Sequence, residues 1–256
     1  MNPFFFGEKG AQLFGMLHPA DGSDFKDECV VLCYPFGQEY ERAHRAFKII
    51  ANNLSRLGYE VLRFDYSGTG DSSGISEDIL ISTWKHDIAT AIQEAKDCSG
   101  SDIVSLVGLR LGATLALQLS KDVEGLKRCI CWDPILSGDQ YFKEIPNYIE
   151  PEYVAALSDV SGNKEIYLNG YPLPVAYRKE LLELDMANFV LGAAEYQFIT
   201  SQQDPELAQV VDKFSAQGSN AKLNTVICES DWNHVDEFGG ILIPQPVIAA
   251  ITDLFK

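Results

Sequence analysis

The segment Val107-Gly108-Leu109-Arg110-Leu111-Gly112-Ala113 joins an apolar run to a stretch of small and apolar residues through two glycines that bracket an arginine. That spacing suits a tight strand–turn–helix elbow, in which neighbouring backbone packs against both glycines. In the G-x-S-x-G form of such an elbow the central residue is a serine nucleophile; here it is Arg110. A guanidinium with a pKa above about 12 stays protonated and cannot attack a carbonyl. Its chemistry is recognition of a carboxylate or phosphate, through paired charge-assisted hydrogen bonds. At the start of a helix a cation is also disfavoured by about 0.3–1 kcal/mol, so Arg110 calls for an anion. The candidates are Glu39, Asp133, Asp204 and a ligand's own carboxylate or phosphate.

The elements around this turn alternate. Cys29–Tyr34 is a short, continuously apolar run, as in a strand buried on both faces. Glu41–Leu57 carries a helical apolar stripe and stops at Gly58. Tyr59–Phe64 reads as a strand, Asp78–Lys96 as an amphipathic helix, Ile103–Val107 as a strand, Leu111–Leu119 as a helix and Leu126–Trp132 as a strand. After an interruption the pattern resumes with Tyr196–Thr200, Pro205–Phe214, Leu223–Cys228 and a closing helix, Pro246–Phe255. Strand–helix alternation predicts right-handed crossovers and a mostly parallel sheet flanked by helices. Two earlier strands, around Phe4–Phe6 and Gln12–His18, are too closely linked to be parallel and should form an antiparallel edge. Residues 134–190, with five prolines, 4 basic and 9 acidic residues, read as an insertion above the sheet. The organisation expected is therefore a core of residues 1–133 and 191–256 with a helical cap at 134–190.

The chain resembles the α/β-hydrolase family on several motifs. Tyr34-Pro35-Phe36-Gly37-Gln38-Glu39 leaves the first buried strand where that family carries its oxyanion-hole loop, and Asp65-Tyr66-Ser67-Gly68-Thr69-Gly70-Asp71-Ser72 is similar to its D-x-x-G-x-G-x-S loop. The same loop reads G-x-G-x-x-x-G, which is not a dinucleotide fingerprint, and no cofactor is implied. The resemblance implies backbone donors at Phe36 and Leu111 for an oxyanion hole, Asp204 as the acid and His234 as the histidine, in the order turn, acid, histidine. Glu39, beside the elbow in that arrangement, ranks first as partner of Arg110 and Asp204 second. A narrower resemblance, to the bacterial hydrolase-like proteins associated with exosortase and exopolysaccharide clusters, rests on Pro35, Phe36, Glu39 and Arg45, on Gly108–Ala113 and on Ile243–Ile248.

Two functional readings follow. In the first, a binding protein keeps the fold and takes an acyl, ester or thioester ligand, with an anionic handle for Arg110, without serine-dependent hydrolysis. In the second, an enzyme uses His234 oriented by Asp204 as a general base on a bound water or substrate proton. Asp204-Pro205-Glu206 is also a good helix start, which explains the aspartate without catalysis. Ser67, Ser72 and Ser73 are expected to bond local backbone, and Cys33 to be a buried structural thiol. An acyl carrier is a possible protein partner.

Composition narrows the classes. The 256 residues carry a net charge of −17, which opposes binding to nucleic acid or anionic membranes. No apolar run reaches the roughly 18 residues of a membrane span, and Met1–Gly10 lacks a basic region and a cleavage site. Six cysteines without a C-x-x-C pair, most of them in strand-like runs, read as reduced thiols in a cytoplasmic protein. Clustered Cys/His spacing for a metal is absent.

Overall fold

The structure is a computed structural model that describes residues 1–21, 24–144, 166–168, 171–232 and 242–256. Ten strands are described: β1 (Asn2–Phe6), β2 (Leu13–His18), β3 (Cys29–Cys33), β4 (Glu60–Phe64), β5 (Val104–Leu109), β6 (Leu126–Trp132), β7 (Ile166–Leu168), β8 (Tyr171–Leu173), β9 (Glu195–Thr200) and β10 (Asn220–Thr225). The described helices are α1 (Gln38–Arg56), α2 (Ile81–Ser99), α3 (Leu111–Leu119), α4 (Gly138–Glu144), α5 (Val175–Leu182), α6 (Pro205–Ala216) and α7 (Gln245–Asp253).

Eight strands form one sheet in the order β1-β2-β4-β3-β5-β6-β9-β10. β1 and β2 are antiparallel, as are β2 and β4, and every pairing from β4 to β10 is parallel. The expected antiparallel edge and parallel centre are both present. Every residue of β3 and β5 is buried, as the continuous apolar runs require.

The strand order decides where the helices go. From β3 the chain steps outward to β4, then crosses back over β3 to β5 and continues outward through β6. Right-handed crossovers in opposite directions put their helices on opposite faces. α1 accordingly packs with α7, and α2 packs with α3. β3 and β5 are neighbours whose following helices leave to opposite sides, so a crevice opens at their carboxyl ends. Such a switch point is where open α/β sheets bind ligands.

The chain leaves the sheet after β6 and returns at β9. In between lie α4, the antiparallel β7–β8 hairpin and α5. Several described contacts tie this excursion to the core, among them the following. Ser82 donates its backbone N–H and its hydroxyl to Glu180 at 2.7 and 2.9 Å. Tyr171 donates to Glu41. The Tyr177 ring sits 5.5 Å from both Phe36 and Trp84.

Candidate functional site

Arg110 stands between β5 and α3 with φ 51° and ψ −123°, a conformation costly for any residue with a Cβ. Its N–H reaches Trp132 O at 3.0 Å, and its carbonyl accepts from Thr114 N at 3.1 Å. The flanking glycines are needed for space. A Cβ on Gly112 would lie 2.2 Å from Tyr34 O and 2.3 Å from Cys33 O, and one on Gly108 would lie 2.5 Å from Ala113 Cα. The start of α3 at Leu111 and Gly112 is thus pressed against the exit of β3 at Cys33 and Tyr34, two residues before Phe36. Neither Leu111 nor Phe36 gives its N–H to an acceptor among the described residues.

The Arg110 side chain is held at both ends. Nε donates to Glu39 Oε1 at 2.9 Å and Nη2 to Glu144 Oε2 at 2.6 Å. Its guanidinium carbon lies 5.6 Å from the centre of the Tyr141 ring, whose hydroxyl donates to Glu39 Oε2 at 3.1 Å. The two carboxylates differ: the Glu39 side chain is 0% exposed and that of Glu144 is 38% exposed. Burial alone would lower the Arg110 pKa, but the Glu39 and Glu144 carboxylates outweigh it and hold the pKa raised. The contact to Glu39 is the one ranked first from the sequence. Glu144 was not among the candidates, because it stands in the 134–190 excursion with no spacing relation to the elbow. A faint signal existed: Tyr141 and Glu144 are three residues apart, hence on one helical face, and both meet Arg110.

Asp133 is not a partner of Arg110. It follows β6 with φ 40°, and its carboxylate accepts from Ser201 N and Ser201 Oγ, both at 2.6 Å, and from Trp232 Nε1 at 3.3 Å. It thereby ties the ends of β6 and β9 to the segment that carries Trp232. Asp204 caps α6: its Oδ1 accepts from Glu206 N at 3.1 Å and Leu207 N at 2.9 Å. The helix-start reading of Asp204-Pro205-Glu206 is therefore met. His234 lies outside the described residues.

The hydroxyls of the candidate substitute nucleophiles are all engaged, but only Ser72 donates to backbone of its own loop; Ser73 reaches a distant carbonyl and Ser67 a carboxylate, not the local backbone expected. Ser72 Oγ donates to Asp65 O at 2.6 Å and accepts from Phe14 N at 2.8 Å, while Ser73 Oγ donates to Gln12 O. Ser67 Oγ donates to Asp87 Oδ1 at 3.0 Å. Cys33 is fully buried, and burial pushes its thiol far up. Among the described residues no group of three or more His, Cys, Asp or Glu side chains could hold a metal ion, and no helix is long and apolar enough to cross a membrane.

The sheet order, the crossovers and the elbow at the switch point define an α/β-hydrolase fold. No family model matches the chain. It is similar over 62 residues, at 43% identity, to the palmitoyl-protein thioesterase ABHD10, mitochondrial, of Homo sapiens and of Pongo abelii; the match spans 24% of this chain and 19% of theirs. Among solved structures, the mouse alpha/beta hydrolase domain-containing protein 10 superposes with a TM-score of 0.63 at 16% identity, covering 99% of this chain and 98% of that one. Est1E from Butyrivibrio proteoclasticus, solved with ferulic acid, gives 0.65 at 20% identity over 99% and 96%. The bottromycin epimerase BotH, in complex with bottromycin A2, gives 0.62 at 19% identity over 100% of both chains.

Proposed function

We propose that this protein binds an acyl, ester or thioester ligand at the switch point, beneath residues 134–190 acting as a cap, and does not hydrolyse it through a serine acyl-enzyme. The observation that carries the reading is the elbow itself. Its strained backbone is kept, yet the side chain at its centre is a guanidinium held by Glu39 and Glu144. Such a group cannot attack a carbonyl, but it can hold an anion. The Phe36 and Leu111 N–H groups remain available to a ligand carbonyl as an oxyanion-hole pair. Glu144, partly exposed and on the cap side, is the carboxylate that an anionic ligand displaces, whereas buried Glu39 stays.

The competing reading needs Asp204 to orient His234 as a general base. Asp204 Oδ1 already takes two helix-capping bonds, which favours binding over turnover. The fold is not tied to hydrolysis: one similar structure is described as an epimerase, others as esterases, and the relative matched over 62 residues as a thioesterase. The thioesterase supports a thioester as ligand, delivered by an acyl carrier. On its cysteine pattern we further propose that the protein is cytoplasmic, and on the resemblance of Gly108–Ala113 and Ile243–Ile248 to the exosortase-associated group that its cell makes exopolysaccharide.

The test is a melting experiment with S-(2-oxononyl)-3-mercaptopropionate, a non-hydrolysable thioether that keeps an octanoyl carbonyl and offers Arg110 a carboxylate, paired with turnover of p-nitrophenyl octanoate. The reading expects the thioether to raise the melting temperature of the unmodified protein, the rise to shrink in Arg110→Gln, and the ester to hydrolyse at the buffer rate. Rapid turnover, or no rise with the thioether, overturns it.

A further inference from the structure

Tyr66 and Tyr177 carry hydroxyls that are buried and have no hydrogen-bond partner among the described residues. Their exposures are 2% and 0%. The other deeply buried tyrosines among the described residues are satisfied. Tyr34 accepts from Arg63, Tyr59 donates to Phe255 O, Tyr141 donates to Glu39, and Tyr196 meets Ser120 and Gly192. The two exceptions occur in one place. Tyr66 follows β4 and stacks on Trp84 at 4.9 Å, and Tyr177, on α5, meets the same Trp84 ring edge-on at 5.5 Å. The Phe36 ring lies 5.4 Å from Trp84 and 5.5 Å from Tyr177.

A buried hydroxyl without a partner destabilises the protein that carries it. Two in one aromatic nest, one from the core and one from the excursion over it, point to a group supplied from outside. Burial pushes both hydroxyls well above their ordinary value, helped by Glu39 at Tyr177 and by Cys33 at Tyr66. Both therefore keep their protons at neutral pH and act as donors.

We propose that Tyr66 and Tyr177 form a donor pair that reads an oxygen acceptor on the ligand's acyl portion, so that the ligand is an oxygenated acyl compound, not a plain hydrocarbon chain. This deepens the binding reading above and rests on it. One oxygen has the lone pairs to accept from both hydroxyls, while Phe36 and Trp84 supply the apolar walls for the rest of the chain. A site built to hydrogen-bond an oxygen rejects the analogue that lacks it, because the analogue leaves buried polar groups unpaired.

The experiment titrates the full chain with octanoate and with its 3-, 5- and 7-hydroxy derivatives by calorimetry, in parallel with Tyr66→Phe and Tyr177→Phe. At least one hydroxy acid should bind about tenfold more tightly than octanoate. Each variant should then bind that acid and octanoate alike. Melting curves without ligand give a second readout: both variants should melt at the original temperature or up to roughly 2 °C above it, since an unpaired hydroxyl is removed. Equal affinities in the unmodified protein overturn the inference while leaving the binding reading intact. So does a hydroxyl advantage that survives both substitutions, or a drop of more than roughly 4 °C in either variant, which reveals an internal partner. If octanoate and every derivative fail to bind, the binding reading falls and the inference with it.

Discussion

Replacing Glu39 by glutamine removes the buried half of the clamp on Arg110. The Glu39 side chain is 0% exposed, that of Arg110 is 16% exposed, and the bond between them is 2.9 Å long. Breaking a buried ion pair from one side costs about 3–5 kcal/mol, because the remaining charge is left uncompensated. The lower end applies here, since Arg110 keeps Glu144 and glutamine still offers a carbonyl to Nε. Unfolding entropy of about 2.1 cal/mol/K per residue gives roughly 0.5 kcal/mol/K for 256 residues, so about 3 kcal/mol is a fall of ~6 °C in Tm. Glu144→Gln is the internal control. Its side chain is 38% exposed, so the loss should be about 0.2–1 kcal/mol and the fall under ~2 °C. Calorimetric melts of both variants, and of Arg110→Met with and without Glu39→Gln, complete a cycle. The cycle should show at least about 1 kcal/mol of coupling between Arg110 and Glu39. Glu39→Gln indistinguishable from the unmodified protein, or Glu144→Gln costing as much, refutes the assignment of a fixed and a displaceable carboxylate.

His18 is buried, accepts Arg63 Nε at Nε2 over 3.0 Å and, since a guanidinium only donates, must carry its own proton on Nδ1 toward Asn52 Oδ1. Burial first, and Arg63 second, lower its pKa to about 4. The unfolded chain, with a pKa near ~6.5, therefore takes up the extra proton first as pH falls. The contribution of His18 is full above that value and is lost between pH ~6.5 and ~4, by about 3 kcal/mol at most. Urea melts across this window should steepen in the unmodified protein and flatten in His18→Gln; equal slopes would remove the argument. Gly112→Ala forces a Cβ to within 2.2 Å of Tyr34 O. Because backbone must shift, it should cost about 3 kcal/mol or more, seen as lost soluble yield or a Tm lower by ~6 °C. A fully stable Gly112→Ala would show that the elbow and β3 do not meet as described.

Legibility followed physical signal. The central strands were readable because burial on both faces demands continuous apolar residues, as in Cys29–Cys33 and Val104–Leu109. α3 spans the expected Leu111–Leu119, since the elbow fixes its start. α1 begins at Gln38, earlier than the apolar stripe suggested, because its first turn turns the charged Glu39 inward to Arg110. The reading placed the last strand on the apolar run Leu223–Cys228; β10 is instead Asn220–Thr225, half-exposed along its length, as an edge strand allows. Pairing toward Cys228 still continues through Val226 N to Thr200 O and Cys228 N to Ser201 O. Contacts between distant segments were least legible. Nothing in one dimension joins Tyr66 to Tyr177, and only the shared helical face of Tyr141 and Glu144 hints at the contact with Arg110.

The central claim is that the elbow holds a cation and no nucleophile. Intact-mass spectrometry after incubation with a fluorophosphonate tests it most directly. The account predicts that the unmodified protein keeps its original mass, because Arg110 offers no hydroxyl and Ser67, Ser72 and Ser73 are tied to backbone or to Asp87. A stoichiometric phosphonyl adduct on the unmodified protein would contradict it.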